Sequence, residues 1–285
     1  MTTRGEALQD WSQLRPQVEQ VASRVPITVG RAALRRRGVA NPHTREDAAA
    51  HRFLQKQLPR IVEAPILSEE DGRFARFMAR FRRRRQERQD ADGWVIDPID
   101  GSINHTVGYG RFATSIAYVS GGESVFGAVR WHTRGRTFSA VRGQGAFVNG
   151  EPLAVANEGT VPNRPKIAYG IANRPKEGDA ERVPTALQNI WRNGWETSQG
   201  GSAAIDICAV AQGDMAAFFE FGLSRWDFAA AGLIAEEAGC VVLATPAAVN
   251  PKNDPHLFDF IVARDQELLD KIAELTGMQD GDGWV

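Results

Sequence analysis

A chain of 285 residues with 42% hydrophobic content carries enough apolar side chain for one large core or two intimate halves. Its 34 basic and 35 acidic residues nearly cancel, so no global field draws it to nucleic acid or to a membrane surface, and any electrostatic function has to be local. There is no apolar leader and no run of about 18 apolar residues, which predicts a cytoplasmic protein without a membrane span. Cys208 and Cys240 lack C-x-x-C spacing and are expected to pack as small apolar residues rather than as a disulfide or zinc site.

In chain order, residues 6–38 read as helical, with Leu14, Val18, Val21 and Val25 near helical spacing and Pro26 predicting a break. Arg35 to Arg37 before Gly38 suit a helix C-terminus. A second amphipathic helix follows NPHTRED (41–47); it carries Ala50, Phe53, Leu54 and Leu58 and closes at Pro59. Thr44 and Asp47 have the spacing of a capping box, which gives Asp47 a structural role. Ile61 to Leu67 reads as a strand that ends in Ser68, Glu69, Glu70 and Asp71. In the basic insertion 73–88, Phe74, Phe77, Met78 and Phe81 recur at helical spacing, so Arg80 and Arg82 to Arg85 lie either on a wet helix face or on a basic flap beside a site.

The central stretch is WVIDPIDGSIN, residues 94–104. Trp94, Val95 and Ile96 end an apolar strand that delivers Asp97 and Asp100 to its tip. Two carboxylates that close cannot both stay ionised without a counter-charge, and a divalent cation is the simplest one. Gly101, Ser102 and Asn104 add a tight turn, a hydroxyl and free backbone amides that suit an anion, so oxygen ligands beside an anion cradle suggest Mg²⁺ shared with a phosphate group. D-P-x-D-G alone is equally good turn chemistry.

Phe112 to Val119, Ser124 to Trp131 and Thr137 to Val148 then read as three strands with turns at Gly121-Gly122 and Gly143 to Gly145. From about residue 151 strands near 167–171, 195–198, 215–221, 240–245 and 259–263 alternate with helices near 181–193, 201–212, 226–238 and 265–276. The first half, 1–150, is thus α+β and the second, 151–285, is α/β. Glu220 sits inside an aromatic strand and wants a partner there, and Asp227 opens a helix whose Ala229, Ala230, Ala231 and Gly232 allow close packing. His105, just after the central motif, reads as a hydrogen-bonded surface residue. The closing QDGDGWV nearly repeats QDADGWV at 89–95, with no physical account of the echo.

Three motifs carry a resemblance. DPIDGSIN, SEED at 68–71 and WDFAAAGLIAEEAG at 226–239 are similar, in order and distance, to the signatures of the inositol monophosphatase family of Mg²⁺-dependent, lithium-sensitive phosphatases. The resemblance implies a layered αβαβα sandwich with the site between its two halves, a homodimer, and hydrolysis of a small phosphate monoester on a cyclitol or sugar. It also implies two Mg²⁺ ions, with room for a third near Glu69. Glu69, Asp97 and the Ile99 carbonyl would hold the first ion and Asp97, Asp100 and Asp227 the second. Glu69 and Ser102 would orient the attacking water, with Glu70 in a supporting role. The amides of Gly101 and Ser102 would hold phosphate oxygens, and Gly201, Ser202, Ala203 and Glu220 would contact substrate hydroxyls. The resemblance also sets 41–47 beside a family segment whose last Asp, here Asp47, lies near the metal cluster; this chain departs from that segment at Asn41, where an Asp is usual, and from the central motif at Ser102, where Thr is usual and the hydroxyl survives.

Phosphatases for histidinol phosphate, fructose bisphosphate and adenosine 3′,5′-bisphosphate share these motifs and remain open. A regulatory protein that binds RNA or a protein partner through Arg82 to Arg85 is the alternative of another class. The concentration of acids at Glu69, Asp97, Asp100 and Asp227 makes nucleic acid the less favoured partner.

Overall fold

Period-two alternation along the apolar strands decides which layer each side chain enters. The computed structural model describes residues 10–28, 45–70, 92–154, 165–171, 179–248 and 257–278. In strand β2 (Gly93–Asp100), which is buried along its whole length, Trp94 and Ile96 point to one face and Val95 to the other. In β10 (Ala217–Ser224), Phe218 faces inward against Phe260 while Phe219 and Phe221 face outward. Both strands are therefore covered on two sides, as their near-continuous apolar sequences require.

Seven strands run in sequential order in the first sheet: β1 (Ile66–Ser68), β2, β3 (Ala113–Ser120), β4 (Glu123–Trp131), β5 (Arg136–Val141), β6 (Ala146–Val148) and β7 (Glu151–Leu153). Only β1 lies parallel to its neighbour. The second sheet has the order β11 (Val241–Pro246), β12 (Leu257–Ala263), β10, β8 (Lys166–Tyr169), β9 (Glu196–Ser198).

Helices α1 (Trp11–Ser23) and α2 (Arg45–Gln57) cover the outer face of the first sheet through Trp11, Val18, Ala50 and Leu54, which pack on Trp94, Ile116 and Phe126. Helix α3 (Ser102–Val107) follows β2 directly. Helices α4 (Asp179–Arg192) and α7 (Gln266–Thr276) cover the outer face of the second sheet through Ile190, Leu269 and Ile272. Between the sheets lie α5 (Ala203–Ala211) and α6 (Arg225–Glu237), both almost wholly buried. The five layers are the expected αβαβα sandwich.

The small residues of α6 do what their size allows. A Cβ on Gly127 of β4 would stand 2.6 Å from the Ala230 carbonyl oxygen, so helix and sheet meet at backbone contact. Both cysteines are buried and free. The stretch Thr137–Val148 is not one strand but two, β5 and β6, because the turn at Gly143 and Gly145 is held by both oxygens of Glu237, which accept the two glycine amides at 2.7 and 2.8 Å. Helix α1 ends at Ser23, before Pro26, and accommodates Pro16 inside it. Arg35 to Arg37, Thr44, the basic insertion 73–88 and the final QDGDGWV lie outside the described residues.

Candidate active site: carboxylates between two sheets

A β-bulge in each sheet aims the acidic residues. In β2 the register slips between Asp97, opposite Ser115, and Asp100, opposite Ala113, so three steps on one strand meet two on the other. In β10 it slips the same way between Glu220, opposite Phe260, and Leu223, opposite Phe258. The second bulge is fixed by Asp259, whose carboxylate accepts the Gly222 amide at 3.0 Å and pairs with Arg182 at 2.6 Å.

Asp97, Asp100 and Asp227 converge, each with an oxygen within 4.8 Å of the others. Burial, reinforced by Glu69, Asp227 and Asp100, pushes Asp97 well above the ordinary carboxylate range. Burial together with the charges of Asp100, Glu69 and Glu220 does the same to Asp227. A donor set of crowded hard oxygens that resists losing its protons fits a divalent cation of the Mg²⁺ or Ca²⁺ kind, which supplies the missing positive charge. Asp227 also accepts the Ser224 amide at 3.3 Å, so one carboxylate both caps α6 and joins the cluster.

The backbone of the bulge is held from within. Asp97 Oδ1 accepts the Ile99 amide at 2.9 Å, and the Thr114 hydroxyl lies 2.8 Å from the Pro98 carbonyl and 2.9 Å from His132 Nε2. Burial, with the charges of Arg130 and His105, lowers His132 to about 4, so the ring stays neutral and can donate from Nε2. Gly101 takes φ +85°, and a Cβ there would lie 2.8 Å from the Arg111 carbonyl, which leaves no room for another residue.

Ser102 Oγ lies 2.9 Å from the Ile99 carbonyl and 3.3 Å from Asp47 Oδ1. Asp47, assigned to helix capping from the sequence, is thus 97% buried and faces the serine of the central motif. Glu69 stands close enough for its charge to raise Asp97 and Asp227. The Glu70 amide donates to Ser68 Oγ at 3.3 Å, and His51 Nδ1 lies 3.0 Å from the same hydroxyl.

From the helix layer between the sheets, Ser202 Oγ donates to Asp100 Oδ2 at 2.5 Å and the Ala204 amide donates to the same oxygen at 2.8 Å. Asp100 is the anion at the N-terminus of α5, and these hydrogen bonds offset part of its burial, which still pushes it up to about 6. The Gly201-Ser202-Ala203 triplet therefore binds the aspartate first. Glu220 sits nearby, raised to about 8 by burial and by the charges of Asp100 and Asp206. A Cβ on Gly170 would fall 1.8 Å from its Oε2, so the carboxylate abuts the glycine through that oxygen.

His105 is not a surface residue. The turn of α3 rotates it fully inward, where Nε2 lies 3.0 Å from the Thr28 carbonyl and the ring packs edge-on against Phe112 at 4.8 Å. The sequence reading also passed over Asn104 as an anchor, although an amide side chain inside a Gly-rich turn commonly bonds to backbone. Its Nδ2 donates to the Arg111 carbonyl at 2.7 Å and to the Gly200 carbonyl at 2.9 Å.

Five alternating layers enclose a cluster of carboxylate oxygens that could hold a divalent cation. The profile of the Inositol monophosphatase family matches residues 14–278, and the chain belongs to that family, whose enzymes are phosphoric monoester hydrolases. It is similar to an inositol-1-monophosphatase of Mycobacterium bovis, 34% identical over 222 residues that cover 73% of this chain and 70% of that one. A Pasteurella multocida relative described as Nus factor SuhB is 31% identical over 242 residues, 82% of each chain. Among solved structures, Mycobacterium tuberculosis SuhB superposes with a TM-score of 0.63 at 28% identity, covering 82% of this chain and 86% of that one. A Thermotoga maritima IMPase shares the fold, with a TM-score of 0.71 at 23% identity and coverage of 93% and 97%. Among the described residues no helix is long and apolar enough to cross a membrane.

Proposed function

We propose that the chain hydrolyses a small phosphate monoester of a cyclitol, sugar or similar polyol, with Mg²⁺ at the acidic cluster. The observation that carries this reading is the meeting of Asp97, Asp100 and Asp227 beside the Ser102–Asp47 contact. Mg²⁺ held by Asp97, Asp100 and Asp227, with Glu69 and the Ile99 carbonyl completing a second set, would neutralise the transferring phosphoryl group and make bound water more acidic. Glu69 and Ser102 orient the attacking water, and Asp47 is the buried acceptor behind Ser102 to which a proton can pass. The amides of Gly101 and Ser102 face the phosphate oxygens. Glu220, with Gly201 and Ala203 beside it, holds the hydroxyls of the leaving alcohol, and Ser202 serves this site by orienting Asp100.

The same reading divides the chain into halves 1–150 and 151–285, with Asp97 and Asp100 on one and Glu220 and Asp227 on the other. It places the protein in the cytoplasm as a homodimer; the exposed apolar side chains of Ile103, Val107 and Tyr109 on and beside α3 support assembly.

Phosphate release from inositol 1-phosphate, histidinol phosphate, fructose 1,6-bisphosphate and adenosine 3′,5′-bisphosphate, with and without Mg²⁺, tests the proposal. Turnover of one substrate that requires Mg²⁺ and disappears in Asp97→Asn is the expected result. No turnover of any, together with no Mg²⁺ uptake by calorimetry, would overturn it. The name of the Pasteurella multocida relative favours a second reading, a regulatory role through RNA or protein contacts. RNA binding that weakens with salt and is lost when Arg82 to Arg85 are neutralised would support it.

A further inference from the structure

Gly200 is held at both of its backbone polar groups by side chains. Its carbonyl accepts from Asn104 Nδ2 at 2.9 Å, and its amide donates to the carboxylate of Asp206. A Cβ on Gly200 would stand 2.2 Å from Asp206 Oδ1 and one on Gly201 would stand 2.9 Å from Asn104 Nδ2, so the loop lies directly on both anchors. Asp206 is only 2% exposed inside α5, and the guanidinium of Arg111 pairs with it. Arg111 is itself tied to the central motif, because its carbonyl accepts the other Asn104 Nδ2 bond at 2.7 Å. The chain of contacts runs from Arg111 through Asp206 to Gly200, then through Ser202 to Asp100. A buried carboxylate without its cation is costly and would seek another position.

We propose that Arg111 is a positioning residue which, through Asp206, clamps the Gly200–Ser202 loop against the metal-cluster motif and thereby sets how tightly the polyol part of the substrate is held. It touches neither the phosphate nor the reacting water. The substrate half of this inference rests on the phosphatase reading above; the clamp itself does not. The guanidinium meets Asp206 through Nη2, while its buried Nε has no hydrogen-bond partner among the described residues, so an ammonium keeps the charge but has to reach the same oxygen from a shorter side chain.

The test compares wild type with Arg111→Met, Arg111→Lys, Asp206→Asn and the double variant Arg111→Met/Asp206→Asn. Steady-state constants are measured on inositol 1-phosphate and on 4-nitrophenyl phosphate, which lacks the hydroxyls, alongside amide hydrogen exchange across residues 199–204. The expected result for Arg111→Met is a KM for inositol 1-phosphate raised about tenfold with kcat and the 4-nitrophenyl phosphate KM nearly unchanged, and faster exchange in the loop. Arg111→Lys should fall between, and the double variant should lose less than the two single losses combined, because the neutral amide no longer needs a cation. Equal loss on both substrates, carried by kcat, would make Arg111 merely structural and overturn the proposal. So would unchanged KM and exchange in Arg111→Met. If wild type turns over neither substrate the phosphatase reading falls, and loop exchange in Arg111→Lys and Arg111→Met then decides the clamp by itself.

Discussion

Ser202 Oγ donates to Asp100 Oδ2 at 2.5 Å, and this bond joins the helix layer between the sheets to the strand that carries the acidic motif. The hydroxyl also accepts from the Ile205 amide at 3.4 Å as the N-cap of α5, so one side chain serves helix and site together. Ser202→Ala should therefore destabilise the fold by roughly 1–2 kcal/mol, the range for a lost cap and a lost bond to a charged group. It should also weaken Mg²⁺ binding, because Asp100 keeps only backbone donors and turns more freely. Urea unfolding and a Mg²⁺ titration check the two effects separately. A variant with wild-type metal affinity would show that Ser202 only caps the helix.

The acidic cluster predicts an unusual pH dependence for metal-free protein. Asp100 rises to about 6 and Glu220 to about 8, from ordinary values of 3.8 and 4.5, while Asp97 and Asp227 rise well above 3.8. A carboxyl whose folded pKa exceeds its unfolded one holds more protons when folded. The stability it contributes is complete below the unfolded value and is lost as pH climbs through the folded value. Melting temperature in a chelator should thus fall between pH 5 and pH 8, and the rise produced by Mg²⁺, which binds the ionised groups, should grow over the same window. Glu220→Gln should recover part of the loss at pH 8 and little at pH 5. A chelated melting temperature that climbs from pH 5 to pH 8 would contradict the cluster as described.

Much of this was legible beforehand, and the reasons differ by residue. The helix at 266–276 announces itself through Asp265 and Gly277, and the structure shows that Asp265 accepts the Leu268 amide while Gly277 takes φ +71°. Asp97 and Asp100 stood out because an apolar strand ending in acids is costly without a cation. Asp47 was ambiguous, since the same letters satisfy a local rule for helix ends, and only the fold brings Ser102, 55 residues away, to its carboxylate. Asp206 and Arg111 were invisible for a similar reason: they are 95 residues apart, and nothing local marks either as half of a pair. His105 was misjudged because burial of a polar ring depends on which way a six-residue helix turns, and α3 is too short to show a periodic face.

Close approach of α6 to the first sheet gives a prediction independent of any activity. A Cβ on Gly127 would meet the Ala230 carbonyl oxygen at 2.6 Å and its Cα at 3.0 Å, both backbone atoms that cannot swing aside. Gly127→Ala should cost on the order of 1–3 kcal/mol, as overpacking of a tight core does. Since Asp227 opens the same helix, Mg²⁺ affinity should fall along with stability. Gly121→Ala, in a turn where no atom lies within 4 Å of the added carbon, serves as the comparison; its cost comes from the φ of +60° and should leave Mg²⁺ affinity intact. Equal metal affinity in both variants would separate the helix contact from the site.

Gly170 offers the sharpest handle on Glu220. A Cβ there would lie 1.8 Å from Oε2 and 2.4 Å from Cδ of Glu220, whereas the next atom of contact is still the same side chain, at 3.1 Å from Cγ. Gly170→Ala therefore presses first on a carboxylate with little room to move, since Glu220 is buried inside β10. The substitution should push the carboxylate out of line with the substrate hydroxyls without touching Asp97, Asp100 or Asp227. KM for inositol 1-phosphate should rise several-fold, roughly the loss of one charged hydrogen bond, while Mg²⁺ half-saturation stays as in wild type. The same change made in Glu220→Gln should add little, because the carboxylate is already displaced. If Gly170→Ala leaves KM unaltered but Glu220→Gln raises it, Glu220 holds its alcohol from a position the added methyl does not reach, and the contact of Oε2 with Gly170 has no part in recognition.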